Sequence, residues 1–86
     1  MEKYYLEPTN KQKSFYKKAQ VIIEDNGSIK LQSYDTIVAK IENGKFVRLW
    51  NDYSATTLTH INSFLQIYGY DTINKKIWCD MEVANN

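Results

Sequence analysis

The chain of 86 residues has few of the residues that build covalent or metal-stabilised folds, with one cysteine, Cys79, and one histidine, His60. A single cysteine cannot form an intrachain disulfide, and a lone thiol in so small a domain is typical of a reducing compartment, so we expect a cytoplasmic protein. Two such residues are too few for a zinc site, and no spacing of carboxylates suggests another metal. The sequence therefore predicts no metal site and no cofactor.

A large net charge and long apolar runs are absent as well. Eleven basic residues face ten acidic ones, which leaves +1 at pH 7 and no whole-molecule field toward nucleic acid or a membrane surface. No apolar run approaches the length of a membrane span, and no charged-then-apolar leader opens the chain. There is no glycine-rich phosphate loop, and His60 with Cys79 lacks the local signature of a nucleophilic pair. We therefore expect neither an enzyme nor a membrane partner.

What the sequence does contain is alternation of apolar and polar residues, interrupted by two Asn-Gly pairs. Residues 14–24 alternate with strand periodicity, and Asn26-Gly27 predicts a type I′ hairpin turn, because that turn needs positive φ at both central residues. We interpret residues 29–42 as one long strand with a bulge near residues 33–36. Asn43-Gly44 predicts a second hairpin, whose two-residue loop would pair Glu42 with Lys45, Ile41 with Phe46, Ala39 with Arg48 and Ile37 with Trp50. This register predicts that Ile37, Ile41, Phe46 and Trp50 face the core and that Arg48 reaches toward an edge.

A helix follows the second hairpin. Ser54 is the predicted N-cap and Gly69 the predicted C′ residue, where a left-handed conformation is needed. Between them an apolar stripe recurs at helical spacing: Leu58, Ile61, Phe64, Leu65 and Tyr68. For residues 72–83 we favour a short helix capped by Thr72 over an edge strand.

These elements predict an α+β fold, an antiparallel meander sheet of three to four strands with the main helix packed on one face and a short C-terminal helix. Residues 1–12 hold the only proline, Pro8, and show no sustained period, so we interpret them as an N-terminal arm. Residues 13–86 would form a single α+β domain.

Three separated motifs stand in order along the chain: Lys13-Ser14-Phe15-Tyr16…Ala19, Ser33-Tyr34-Asp35-Thr36…Val38-Ala39 and Tyr53-Ser54-Ala55-Thr56-Thr57-Leu58…His60-Ile61…Phe64-Leu65. Together they resemble a family of short uncharacterised proteins encoded by phages, plasmids and integrated elements of Gram-positive bacteria. The resemblance implies a mobile-element accessory protein with no established activity. In that family an arginine usually precedes the histidine and a glutamate follows one turn later, whereas this chain has Thr59 and Ser63, so it lacks an i,i+4 ion pair.

The predicted helix carries no full charge on its outward side, which is unusual because interface centres, rather than ordinary surfaces, are depleted in charge. We predict a partner-binding surface on that side, made of Thr56, Thr59, His60, Ser63, Gln66 and Ile67. The alternative is a nucleic-acid surface on the basic N-terminal segment, where lysines interleave with aromatic residues, made of Lys11, Lys13, Lys17 and Lys18 with Arg48. The helix start at residues 54–57 could also hold a phosphate on its free N–H groups.

The leading functional hypothesis is a non-enzymatic protein that docks on a host or element protein, in its concrete version a counter-defence inhibitor of the anti-CRISPR type. A small nucleic-acid-binding regulator is the alternative. A homodimer that pairs its uncharged helix faces is a third interpretation, so the protein is expected to be a monomer or a homodimer.

Overall fold

A computed structural model describes residues 1–8 and 15–84 of the chain. One antiparallel sheet carries the strands in the order β1-β2-β3-β4-β5, and two helices follow it. The elements are β1 Glu2–Tyr5, β2 Ala19–Ile23, β3 Ile29–Ser33, β4 Thr36–Glu42, β5 Lys45–Arg48, α1 Ala55–Ile67 and α2 Lys75–Asp80. The α+β class, the main helix and the short C-terminal helix are confirmed. The predicted count of three to four strands is wrong, because the sheet has five.

The additional strands come from two places in the sequence. Residues 2–5, which we assigned to an arm, pair with β2 so that Tyr4 lies opposite Val21. Leu6 continues this pairing through an N–H···O bond to Ala19 of 2.8 Å, and its side chain is fully buried. The predicted long strand is in fact two strands, β3 and β4, joined by a two-residue turn at Tyr34 and Asp35. The boundary that we placed at residue 12 lies outside the described residues.

The two Asn-Gly pairs form different turns. Asn43 and Gly44 have φ of 54° and 75°, as a type I′ turn requires, and Glu42 lies opposite Lys45 as predicted. At the other pair only Gly27 has positive φ, at 91°, and Glu24 donates its N–H to the carbonyl of Ser28. That loop is one residue longer, so the type I′ prediction for Asn26-Gly27 is wrong.

A bulge in β4 decides which side chains reach the core. The register between β3 and β4 shifts between Leu31 and Gln32, because Ala39 pairs with Leu31 while Ile37 pairs with Gln32. Val38 is the extra residue, and its carbonyl accepts both the Leu49 and the Trp50 N–H groups. Ile37 therefore shares the outer face with Gln32, and its predicted pairing with Trp50 and place in the core are wrong.

The core lies between one face of the sheet and α1. Its buried residues are Leu6, Phe15, Ala19, Val21, Leu31, Val38, Ala39, Ile41, Ile61, Phe64, Leu65 and Trp78, and Phe46, Trp50, Leu58 and Tyr68 pack against them. The predicted stripe of α1 is thus confirmed as the packing face of the helix.

Both ends of α1 match the sequence signals. The Ser54 hydroxyl accepts the Thr57 N–H at 3.0 Å, which satisfies one of the free donors of the first turn. At the other end Gly69 has φ of 84°, the Tyr70 N–H bonds the Leu65 carbonyl and the Gly69 N–H bonds the Gln66 carbonyl. This is the Schellman arrangement, in which a left-handed C′ residue is required.

The C-terminal helix begins two residues later than predicted. Asn74 caps α2 by accepting the Ile77 N–H at 2.9 Å, so the assignment of Thr72 as the cap is wrong. Trp78 is the buried residue of α2. The tail then returns beside β5, where the Ala84 N–H bonds the Arg48 carbonyl at 2.8 Å.

Candidate functional site: an exposed tyrosine and lysine cluster above a buried histidine

His60 is where the three sequence motifs meet. Its Nδ1 lies 2.8 Å from the Ser33 hydroxyl, which in turn lies 2.9 Å from the Thr57 hydroxyl. The Phe15 ring packs edge-on against the imidazole with centroids 4.5 Å apart, and the Tyr34 ring lies 5.8 Å away. The cluster around the imidazole of His60 thus contains Phe15, Ser33 of β3, Tyr34 of the β3–β4 turn and Thr57 of α1.

The distance between the Ser33 hydroxyl and His60 Nδ1 would suit a nucleophile and its general base, but the burial of the pair does not. Ser33 and His60 are each only 2% exposed, so no substrate reaches the hydroxyl. Burial lowers the pKa of the His60 imidazole, which keeps the ring neutral and hydrogen-bonded at pH 7. The arrangement is therefore a polar clamp between the sheet and α1.

The surface above this clamp is rich in tyrosine. Tyr5, Tyr16 and Tyr34 are 49%, 68% and 50% exposed, and Lys17 and Lys18 are exposed beside them. We call these five residues the tyrosine end, because they lie where β1 and β3 finish and β2 and β4 begin.

Backbone hydrogen bonds join the segments of the tyrosine end. The Tyr34 N–H donates to the Lys18 carbonyl at 2.7 Å, which ties the β3–β4 turn to the residues that precede β2. The Lys17 ammonium lies 5.6 Å from the centre of the Tyr5 ring, within the range of a cation–π contact. These contacts bring the β3–β4 turn, the residues before β2 and the end of β1 together at one end of the sheet.

The backbone at this end adopts conformations that ordinary residues avoid. The Lys18 N–H bonds the Phe15 carbonyl at 2.9 Å, and the two residues between them, Tyr16 and Lys17, have φ of 52° and 64°. This is the sign pattern of a type I′ turn, in which Asn-Gly is the usual pair. Tyr34 has φ of 55° at the first corner of the β3–β4 turn. A left-handed conformation costs an L-residue roughly 1–2 kcal/mol, and such strain clusters at functional sites.

The predicted surface on α1 is only partly on the outside. Thr56, Gln66 and Ile67 are exposed and Thr59 is half-buried, but Ser63 and His60 are buried, so their placement on the outer face is wrong. For His60 the reason is the Ser33 hydroxyl of β3, which bonds to Thr57 and His60 and so widens the buried arc of α1 beyond its apolar stripe. Thr59 bonds its own helix at the Ala55 carbonyl.

Two of the four lysines of the predicted nucleic-acid surface lie among the described residues. Lys17 and Lys18 are exposed at the tyrosine end, whereas Lys11 and Lys13 lie outside the described residues.

Arg48, predicted to reach an edge, is buried and makes its contacts inside the protein, so this prediction is wrong. Its guanidinium donates to the carbonyls of Trp50 and Trp78 at 2.9 Å each, and to those of Cys79, Met81 and Asp52. It also lies 4.7 Å from the Trp78 ring. Arg48 satisfies carbonyls at the end of α2 and so attaches this helix to β5. It is not available to a phosphate at the start of α1, where Ser54 and Thr57 are already bonded to each other and Thr57 to Ser33.

Within residues 1–8 and 15–84, no group of three histidine, cysteine or carboxylate side chains could hold a metal ion. Across the same residues, no helix combines the length and the apolar character that crossing a bilayer requires. Cys79 is a free, exposed thiol on α2.

The sequence pattern does not predict the tyrosine end as a surface. It places Phe15 and Tyr16 in a strand and Tyr5 in an N-terminal arm, and so gives no sign that they lie near Tyr34. The signal that was available is the run of tyrosine and lysine just before β2, together with the motif Ser33-Tyr34-Asp35-Thr36.

The fold and this site define a small sheet-and-helix protein with an aromatic surface at one end of the sheet. The chain belongs to a family of unknown function, DUF8033, whose model matches residues 4–80. That match includes the last two residues of β1, all of β2 to β5, α1 and α2. No curated protein and no solved structure matches the chain.

Proposed function

We propose that this chain is a non-enzymatic binding protein that recognises a protein partner through the tyrosine end. The observation that carries the proposal is the backbone: of the four non-glycine residues with positive φ in the described part of the chain, Tyr16, Lys17 and Tyr34 lie here. The fourth, Asn43, occupies an ordinary Asn-Gly turn. Positive φ at exposed tyrosines costs free energy, and a binding role of their side chains accounts for that cost in the proposal.

Tyrosine suits this role because its ring offers a large apolar area and a hydroxyl at a low entropy cost, and interfaces are enriched in it. The His60 clamp holds the Tyr34 turn against α1, so the surface is pre-organised, which lowers the cost of binding. The exposed and half-buried uncharged residues of α1, Thr56, Thr59, Gln66 and Ile67, form a second contact surface in the proposal, which we call the α1 strip.

The cellular role in the proposal comes from the resemblance of the sequence motifs to mobile-element proteins of Gram-positive bacteria. A phage- or plasmid-borne accessory protein in the cytoplasm, acting on a host or element protein, fits the small size and the free thiol. An inhibitor of host defence, of the anti-CRISPR type, is the concrete form of this role.

A nucleic-acid-binding regulator is the second candidate. It is favoured by the position of the Lys17 ammonium over the Tyr5 ring, since basic groups beside aromatic rings are what single-stranded nucleic-acid sites combine. In that case affinity should fall steeply as salt is raised.

Site-specific photo-crosslinking tests these alternatives in one experiment. p-Benzoylphenylalanine is placed at Tyr16, at Thr59 on the α1 strip, or at Ile77, an exposed residue of α2 that serves as the matched control. Irradiation is carried out in a lysate of Gram-positive cells, and adducts are identified by mass spectrometry before and after nuclease treatment. We expect one protein adduct that forms from position 16 and is absent from position 77.

Each other result has a defined meaning. An adduct that nuclease removes supports the nucleic-acid candidate, and an adduct of twice the chain mass supports the homodimer. A protein adduct from position 59 alone moves the site to the α1 strip. Equal adducts from positions 16 and 77 would overturn specific docking altogether.

A further inference from the structure

We infer that Asn43 is a site of spontaneous covalent modification, at which the side-chain amide is lost and isoaspartate forms, while the fold protects Asn26 from the same reaction. Both asparagines precede a glycine and follow an acidic residue, Asp25 in one case and Glu42 in the other. Glycine has no side chain to hinder its peptide nitrogen. The reactivity that the neighbouring residues give is therefore matched, so a difference in rate has to come from the two turns.

The reaction is intramolecular and uses water as its co-reactant. The peptide nitrogen of Gly44 attacks the side-chain carbonyl carbon Cγ of Asn43 and gives up its proton, the Cγ–Nδ2 bond breaks, and ammonia leaves with that proton. Water then opens the five-membered imide at one of its two carbonyl groups. Opening at the main-chain carbonyl gives isoaspartate, and opening at the side-chain carbonyl gives aspartate.

At Asn26 both reacting groups are held in hydrogen bonds. The side-chain carbonyl oxygen of Asn26 accepts the Ser28 N–H at 2.9 Å, which fixes the side chain in an Asx turn. The Gly27 N–H, whose nitrogen is the nucleophile, donates to the Glu24 carbonyl at 3.0 Å. Both bonds have to break before Gly27 attacks.

At Asn43 the corresponding groups are open. Across the described residues, no hydrogen bond engages the Asn43 side chain or the Gly44 N–H. The Tyr70 hydroxyl donates to the Gly44 carbonyl at 2.9 Å, a contact that involves neither reacting group. Exposure does not distinguish the two turns, since both asparagines and both glycines are exposed. The hydrogen bonds distinguish them.

The product alters the hairpin that carries it. Isoaspartate adds one methylene group to the main chain of a two-residue loop, whose length and positive φ values match the twist of β4 and β5. The Gly44 carbonyl, which bonds the Tyr70 hydroxyl in the segment after α1, is expected to move out of its reach. Modified molecules should therefore be less stable. The site lies at the end of the sheet opposite the tyrosine end, so the inference does not depend on the proposed function.

Peptide mapping tests the inference, because trypsin places the two asparagines in separate peptides, residues 19–30 and 41–45. The full chain is incubated at 37 °C and pH 8, in buffer and in 6 M guanidinium chloride, and mass spectrometry follows the conversion of amide to carboxylate in each peptide. In buffer we expect Asn43 to react roughly tenfold faster than Asn26, since two hydrogen bonds must break at Asn26. In guanidinium chloride the two rates should become similar.

Fragmentation by electron transfer should identify isoaspartate in the 41–45 peptide. Asn43→Gly is the matched control for the loss of stability, because Gly-Gly also forms a type I′ turn but carries no amide. Urea denaturation after incubation should show a less stable population in the wild type and none in this variant.

Four results would overturn the inference. They are equal rates at the two asparagines in buffer, a faster reaction at Asn26, a preference for Asn43 that persists in guanidinium chloride, and no reaction at Asn43 in buffer while the denatured chain reacts. The first two would mean that the hydrogen bonds at Asn26 give no protection. The third would assign the preference to the sequence, and the fourth would mean that the type I′ turn itself prevents the attack.

Discussion

His60 lies between the Phe15 and Tyr34 rings with its Nδ1 bonded to Ser33, and burial lowers the pKa of its imidazole. In the unfolded chain a histidine titrates at its ordinary value of 6.5. The unfolded state therefore binds more protons below about pH 6.5, and stability that is complete above that pH is lost as the pH falls through this range.

We accordingly expect the free energy of unfolding to be lower at pH 5.5 than at pH 7.5. Urea denaturation at the two pH values measures it. His60→Asn keeps a hydrogen-bond acceptor toward Ser33 but does not titrate, so this variant should show a smaller loss between the two pH values. An equal loss in both proteins would assign the effect to other groups.

The left-handed residue Lys17 allows a matched comparison with its neighbour. Glycine adopts φ of 64° without the penalty of a side chain, whereas at Lys18, where φ is not positive, glycine only adds freedom to the unfolded chain. Lys17→Gly should therefore be about 1 kcal/mol more stable than Lys18→Gly in urea denaturation. If Lys17→Gly is the less stable of the two, the left-handed turn at Tyr16 and Lys17 is not present in solution.

Strand β1 is part of the sheet. Leu6, which follows it, is fully buried in the core. Leu6→Ala should cost about 2–5 kcal/mol of unfolding free energy, as buried leucine truncations do. The neighbouring exposed Glu7→Ala should change it by less than about 0.5 kcal/mol. Similar small effects of both would mean that residues 1–8 are not folded onto the sheet.

The junction of β5 and α2 depends on the shape of one side chain. Arg48 donates to five carbonyls, and lysine at that position has neither the length nor the planar fork to reach them. Arg48→Lys should lower the free energy of unfolding by roughly 2–3 kcal/mol, since buried acceptors lose charged donors. The control Lys45→Arg, at an exposed position of the same strand, should be close to neutral. The near-UV circular dichroism of Trp78 should change in the Arg48→Lys variant and stay unchanged in the control.

At the scale of the whole fold, every strand in the described part of the chain pairs with its neighbour in sequence, in the order β1-β2-β3-β4-β5. Contacts of this kind close short loops, so little chain entropy is lost before each pairing forms. We expect refolding in a single phase within milliseconds to tens of milliseconds, monitored by tryptophan fluorescence after stopped-flow dilution from urea. A dominant phase of seconds would contradict folding that is limited by the meander alone.

Local patterns in the sequence determined the class of the fold. Turn chemistry at Asn43-Gly44, the Ser54 cap, the Gly69 terminus and the apolar stripe of α1 each depend on interactions within a few residues, and all are as predicted. The family model of unknown function covers residues 4–80 and so includes all three motifs, whereas the origin in phages and plasmids stays a prediction.

Which polar residues are buried, and where the exposed tyrosines lie together, depends on contacts between segments that are far apart in the sequence. The bulge at Val38 placed Ile37 on the outer face of β4, the Ser33 hydroxyl of β3 bonds the buried His60, and Arg48 lies inside because it donates to carbonyls of α2. Each of these outcomes depends on a partner distant in sequence, and periodicity carries no information about such a partner. Tyr5, Tyr16 and Tyr34 are likewise far apart in the sequence, and they lie together only because the sheet places them at one end.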